Sequence, residues 1–263
     1  MYIHNFDPVL FNLGFFEIRW YSLAYILGIL IGWWYGKKIF CYRVLNQKDL
    51  NVKANFDDLI TYIIISLIIG GRLGYVIFYN FNFYLDNPVE ILMLWHGGMS
   101  FHGGLLGVII GTSLFAKSKN IKSLFLLDII ACVAPIGLFF GRIANFINSE
   151  LYGKPTEMSW GFKFPLVDNI TRHPSQLYEA ILEGVILFVI LNIFIKKSIT
   201  GYCSSLFLII YGVFRIFAEY FREPDIQIGY LLGFLSMGTL LSCIMVISGI
   251  IVFAISKKNE ISK

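Results

Sequence analysis

Apolar residues fill long stretches of this chain, and polar residues gather in the gaps between them. A helix needs roughly 20 apolar residues to cross a hydrocarbon core. Runs of that kind lie at 20–40, 57–79, 97–116, 123–147, 176–195, 202–221 and 236–255. The pattern predicts an all-α polytopic membrane protein with about seven transmembrane helices, forming a single integral membrane domain over 1–263.

Charge sets the expected orientation. Lys37, Lys38, Arg43, Lys48 and Lys53 follow the first run; Lys117, Lys119 and Lys122 follow the third; Lys196 and Lys197 follow the fifth; Lys257, Lys258 and Lys263 follow the last. Arg19, Lys154, Lys163, Arg172 and Arg222 fall on the other side, over more loop residues. The excess of Lys and Arg marks cytoplasmic loops, so the N-terminus is expected outside and the C-terminus in the cytoplasm. An odd number of spans suits ends that face opposite ways. The first 19 residues hold Arg19 with Asp7 and Glu17, which is not the basic start of a cleaved signal. The first span is therefore expected to stay as an anchor. Residues 148–175, with Gly153, Pro155, Gly161, Pro165 and several aromatics, are the longest outer connection and are expected to form a small outer cap.

Composition agrees with the apolar pattern. The chain is 57% hydrophobic and 14% charged, with a mean hydropathy of +0.71, where soluble domains run nearer about 25% charged. The net charge of +4 is spread over loops and gives no reason to invoke nucleic acid.

Three arginines stand inside apolar runs: Arg72, Arg142 and Arg215. A guanidinium at mid-bilayer costs about 2.5–3.5 kcal/mol on the gentlest insertion scale. Spans two, four and six run outward, and each arginine lies late in its span. His102 lies early in span three, and Tyr21 opens span one. All five groups are thus expected near the outer leaflet, as a site that grips an anion.

Four polar constellations surround them. The first is His96-Gly-Gly-Met-Ser-Phe-His102-Gly-Gly. Its glycines suit close backbone approach or tight helix packing. Packing does not need His102, an imidazole suited to take a proton near pH 7; Ser100 lies beside it. In the second, Arg142, Asn145 and Ser149 are expected on one helix face with Glu150 close by. A fork, an amide and a carboxylate can hold a phosphate ester and its hydroxyls, although Arg142 and Glu150 could also pair with each other. The third sets Arg215, Glu219 and Arg222 at i, i+4 and i+7, before Pro224 and Asp225. Arg215 and Glu219 could neutralise each other. The fourth, Arg172-His173-Pro174-Ser175-Gln176-Leu-Tyr178-Glu179, leads into span five as a helix start. Arg72, among Gly70, Gly71 and Gly74, is either a packed arginine or a further phosphate partner. Cys41, Cys132, Cys203 and Cys243 show no disulfide or metal spacing, and no Gly-x-Ser-x-Gly or His-Glu-x-x-His motif is present.

Taken together, Gly97-Gly-Met-Ser-Phe-His102-Gly-Gly, Gly141-Arg142-Ile-Ala-Asn145-Phe-Ile-Asn148, Arg172-His173-Pro174-Ser-Gln176-Leu-Tyr-Glu179 and Arg215-x3-Glu219-x2-Arg222-x-Pro224-Asp225 resemble the bacterial prolipoprotein diacylglyceryl transferase family. Trp20-Tyr21 and Gly70-Gly-Arg72-Leu-Gly-Tyr75 fit the same pattern, and the match runs in order from span one to span seven. Ala144 stands where that family usually has glycine.

The resemblance implies a membrane-bound transferase of lipoprotein biosynthesis, in the bacterial cytoplasmic (inner) membrane, with its active site facing the periplasm. Such an enzyme transfers the diacylglyceryl group of phosphatidylglycerol to the lipobox cysteine thiol of a prolipoprotein. A thioether forms and glycerol phosphate leaves; this is the first step of lipoprotein maturation. The partners it implies are phosphatidylglycerol, the prolipoprotein signal peptide and membrane lipid, with no metal or organic cofactor. The nucleophile then belongs to the substrate, which suits a chain with no well-placed thiol of its own. His102, Arg142 and Arg215 are the expected catalytic residues. Tyr21, Arg72, Ser100, Asn145, Glu150, Glu219 and Arg222 are the expected substrate contacts. A transporter would place its polar groups near the midplane, in repeated halves. A lipid phosphatase would deliver diacylglycerol to water.

Overall fold

The computed structural model describes residues 2–12, 14, 17–46, 56–196, 199–224, 230–231 and 235–261. Asp225 and the loop lysines Lys48, Lys53, Lys197 and Lys263 lie outside the described residues. A long helix stands on every apolar run: α1 (Trp20–Asn46), α2 (Phe56–Phe78), α4 (Phe101–Ser118), α5 (Ser123–Ile147), α6 (Ser175–Phe194), α7 (Tyr202–Phe221) and α8 (Met237–Ile261), with a short α3 (Phe81–Asp86) after α2. Among the described residues, five helices are long and apolar enough to cross a membrane: α2, α5, α6, α7 and most of α8. Aromatics such as Trp33, Trp34 and Tyr35 dilute α1, and Gly103, Gly104, Gly107 and Gly111 dilute α4.

The chain clusters into two compact units, Met1–Gly36 with Asp128–Lys263, and Lys37–Leu127. The smaller unit is built on α2 and α4. Its core contact is backbone on backbone: a methyl group added at Gly103 would lie 2.3 Å from the Gly70 carbonyl oxygen, and one at Gly107 would lie 2.1 Å from that of Ser66. Small residues four apart let two helices touch in this way, which is how apolar helices associate where water provides no drive.

The larger unit holds α5 to α8 and the start of α1. Buried Asp128 caps α7 from outside: its carboxylate accepts the amides of Gly201 and Ser204 and the Ser204 hydroxyl, each at 2.8 Å. An anion at a helix N-terminus satisfies orphan donors and the dipole together.

Ahead of α1, β2 (Val9–Asn12) and β3 (Glu17–Arg19) pair antiparallel. The connection from α5 to α6 carries β4 (Phe162–Lys163) and β5 (Thr171–Arg172), which pair antiparallel. The N-terminal β1 (Tyr2–Ile3) joins β4 in parallel, so the cap includes the first residues of the chain. Next to β1, His4 is buried, with its ring 4.9 Å from Phe146 and 5.2 Å from Phe164, and its Nδ1 lies 3.2 Å from Ser149 Oγ. Burial holds its imidazole below the ordinary histidine value. This corrects the helix face expected for Ser149. Helix α5 ends at Ile147, and Ser149 and Leu151 turn through positive φ, aiming the Ser149 hydroxyl at His4.

The cap is stitched to the end of α7. Gly153 bridges Arg222, the Lys154 amide donates to the Phe221 carbonyl at 2.8 Å, and the Glu223 amide donates to that of Tyr152 at 3.2 Å. Arg172 binds the junction by donating to the Gly153 carbonyl at 3.1 Å, Glu223 at 3.2 Å and Asp168 at 2.7 Å.

Candidate functional site

Within the larger unit, α5, α6 and α7 bring six charged side chains together. Arg142 comes from α5, Glu179 and Glu183 from α6, and Arg215 and Glu219 from α7, with Arg222 just past its end. Arg142 Nε lies 2.8 Å from one Glu179 oxygen, and Arg215 Nη1 lies 2.7 Å from the other. One carboxylate thus bridges two guanidiniums from separate helices. Glu183 sits in contact with both, 3.2 Å from Arg142 Nη2 and 3.8 Å from Arg215 Nη1. Glu219 pairs with Arg215, and Arg222 lies 3.8 Å from Glu179 and 4.0 Å from Glu219. The Ser236 hydroxyl donates to Glu219 at 2.8 Å.

The bridge is close but off-axis. Neither Glu179 oxygen, nor Arg142 Nε, nor Arg215 Nη1 has an aligned hydrogen bond among the described residues. The same arginines do make aligned bonds elsewhere, Arg142 to Glu183 and Arg215 to Glu219. Glu179 and Glu183 are fully buried, and a buried charge is tolerated only when paired. Both come from α6. Residues Ala180–Ile186 form a wider π-helical turn. Such turns are rare and tend to mark functional positions.

Around this network, Tyr21 opens α1 and lies within electrostatic reach of Arg142 and Glu150. Asn145 is buried on α5. Glu150 accepts from Asn148 at 3.5 Å, while its carbonyl accepts from buried Gln176 at 2.6 Å. Arg142 meets Glu179 and Glu183 in place of the Glu150 pairing that the sequence allows. The self-pairing foreseen for Arg215 and Glu219 does form, and it is one edge of the larger network. Beside the site, His173 takes Tyr178 OH at 3.1 Å, and burial lowers its pKa.

The remaining candidates belong to the smaller unit. Arg72 is buried, and every N–H of its guanidinium meets a backbone carbonyl: Ile91 at 3.0 Å, Gly98 at 3.1 Å, Glu90 at 2.5 Å, Met93 at 3.1 Å, and Gly97. Its ring partner is Tyr84, with 5.2 Å between the guanidinium carbon and the centroid. These contacts account for its burial without a ligand. Ser100 caps α4 by accepting the Gly103 amide at 3.2 Å. His102 is half-buried in the first turn of α4.

Glu179 and Glu183 join the site although the sequence patterns above do not single them out: Glu179 fits a helix start, and Glu183 stands in an apolar run. The signal was available, because two carboxylates four residues apart inside an apolar run need cationic partners as much as the arginines need anionic ones.

Residues 8–255 match the family described as prolipoprotein diacylglyceryl transferase. The phosphatidylglycerol–prolipoprotein diacylglyceryl transferase of Rhodospirillum rubrum is 50% identical over 262 residues, which covers 97% of this chain and 93% of the relative. The protein of that name from Rickettsia felis is 52% identical, covering 93% of this chain and 95% of its own length. The one from Ehrlichia canis is 49% identical, covering 97% of each.

Proposed function

The chain belongs to the prolipoprotein diacylglyceryl transferase family, and from that premise we propose how its charged site serves the reaction. The chain is a membrane transferase that moves a diacylglyceryl group from phosphatidylglycerol to a prolipoprotein. In our reading the acceptor is the lipobox cysteine. Its sulfur attacks the glyceryl carbon that carries the phosphate. A C–S bond forms, the C–O bond to phosphorus breaks, and glycerol phosphate leaves with the electron pair. The thiol proton passes to a base. The protein sits in the bacterial inner membrane, N-terminus outside and C-terminus in the cytoplasm, with the site toward the periplasm.

One observation carries this reading: Arg142 and Arg215 converge from two helices on a single anionic group without aligned hydrogen bonds. A phosphate offers tetrahedral oxygens that can take the aligned bonds a carboxylate leaves unused. Donors aimed where the departing oxygen gains charge lower the barrier, commonly by about 2.7–4 kcal/mol for each well-placed donor. Arg142 and Arg215 form this clamp. Glu219 and Arg222 order it, and Tyr21, Asn145 and Glu150 meet the glycerol head. His102 is assigned the base, and Ser100 a substrate contact, on the strength of the motifs they occupy; Arg72, whose five N–H groups are taken by carbonyls, holds the loop above it. A cysteine thiol has an ordinary pKa near about 8.5, so some group must favour its thiolate.

The test uses purified protein in vesicles of radiolabelled phosphatidylglycerol, with and without a lipobox peptide. Label is expected on the peptide alone. Diacylglycerol released without peptide would favour a phosphatase. Arg142→Ala and His102→Gln should each abolish transfer while the protein still inserts. Near-normal transfer by His102→Gln would remove the base assignment.

A further inference from the structure

The transfer reaction gives Glu183 no task, yet the fold spends a fully buried carboxylate on it. It stands behind the clamp. One oxygen accepts from Arg142 at 3.2 Å, and the other lies 3.8 Å from Arg215 and is buried without an aligned hydrogen bond. Glu179 lies closer to both arginines and bridges them. The two carboxylates therefore occupy different positions relative to an incoming anion. Glu179 holds the place between the guanidiniums that a phosphate would take. Glu183 contacts the same guanidiniums from four residues further along α6, without lying between them.

Charge gives this position a consequence. Among the described residues the network has three arginines, Arg142, Arg215 and Arg222, against three glutamates, Glu179, Glu183 and Glu219. A lipid phosphodiester enters with one negative charge. Once the C–O bond breaks, the departing phosphate monoester carries about 1.5–2 negative charges near pH 7. Two buried guanidiniums without a fixed counter-charge would hold that product more tightly than the substrate and retain it.

We propose that Glu183 is a positioning residue that acts through Arg142 and Arg215 to weaken the clamp's grip on the phosphate-bearing product, so that glycerol phosphate leaves after transfer. This rests on the functional reading above and deepens it. Glu183 touches neither the thiol nor the reacting carbon. It tunes the two arginines that meet the phosphate.

The Glu183→Gln substitution keeps the shape and removes the charge. In vesicle assays it should lower the inhibition constant for added glycerol phosphate by roughly tenfold or more, the scale of one unit charge a few ångströms away at an intermediate dielectric. KM for phosphatidylglycerol should fall with it, and kcat should fall because release slows. A purely structural role would reduce the folded yield and leave the inhibition constant unchanged. Glu183→Asp keeps the charge but draws it back by one methylene, and it should lower the inhibition constant two- to threefold. That variant still reads the effect if the glutamine form does not insert. An inhibition constant within twofold of wild type in either folded variant overturns the inference, as does a rise in KM. If wild-type protein moves no label to the peptide, the functional reading itself fails. If wild type transfers normally and the variants keep its inhibition constant, this inference alone fails.

Discussion

Arg72 and the pair Arg142 with Arg215 look alike in the sequence: each is a lone cation inside an apolar run. The smaller unit surrounds Arg72 with neutral oxygens. Five carbonyls take its five N–H groups, and the guanidinium is saturated. The larger unit surrounds Arg142 and Arg215 with carboxylates: each donates an aligned bond, Arg142 to Glu183 and Arg215 to Glu219, while their contacts with Glu179 are unaligned. A saturated arginine has no donor to give and holds a loop. An arginine that meets one carboxylate without an aligned bond can exchange that anion for another. Burial alone would not separate the two cases; the chemistry of the partners and the unaligned contact with Glu179 do.

The largest expected effect that sharpens this contrast is on rate. Arg142→Ala should lower peptide lipidation by about 10²–10³-fold or more in a radiolabel assay. Retention of a tenth of the wild-type rate would remove Arg142 from the clamp. Next comes Arg72→Lys, which keeps the charge but offers three donors to five carbonyls. Each buried acceptor left unsatisfied costs about 1–3 kcal/mol, so a loss of about 3 kcal/mol in thermal unfolding is expected. An unchanged melting temperature would break the comparison. Gly103→Val should follow at about 1–3 kcal/mol, the usual cost of overpacking, because its Cβ would meet the Gly70 carbonyl oxygen at 2.3 Å. Differential scanning of the purified variant reads that loss.

The smallest effect lies in the cap. The Arg172 hydrogen bond holds the Asp168 carboxyl below its ordinary value of 3.8. A depressed carboxylate contributes stability above its unfolded pKa and loses it as pH falls through the folded one. Asp168 is half-buried in a surface ion pair, so the contribution should be under about 1 kcal/mol. The difference in melting temperature between wild type and Asp168→Asn should be present at pH 7 and shrink as pH falls below 3.8. A difference that persists in acid would mean that something other than this titration sets it.

The helices were legible because a bilayer imposes length and apolarity on whatever crosses it, so boundaries such as Ser123–Ile147 and Tyr202–Phe221 could be read directly. The cap strands were not. Strands of two residues, such as Tyr2–Ile3 with Phe162–Lys163, have no periodicity and pair across most of the chain. Arg215, Glu219 and Arg222 were legible as a group because helical spacing places them on one face, and Arg142 because a charge inside an apolar run stands out. Glu179 and Glu183 were legible in principle, as two acids four residues apart in an apolar run, but nothing in the sequence says which cations they meet. Carbonyl partners carry no sequence signature, so the two readings of Arg72 stayed open until the loop over residues 88–98 was placed on it.

The glycine contact between α2 and α4 has a consequence for lipid traffic. Two backbones pressed together from Ser66 to Gly107 leave no width for a hydrocarbon tail. That seam is shut to a bulky lipid. A photoactivatable lipid should therefore leave Gly70, Gly103 and Gly107 unlabelled while it marks the residues along its actual route.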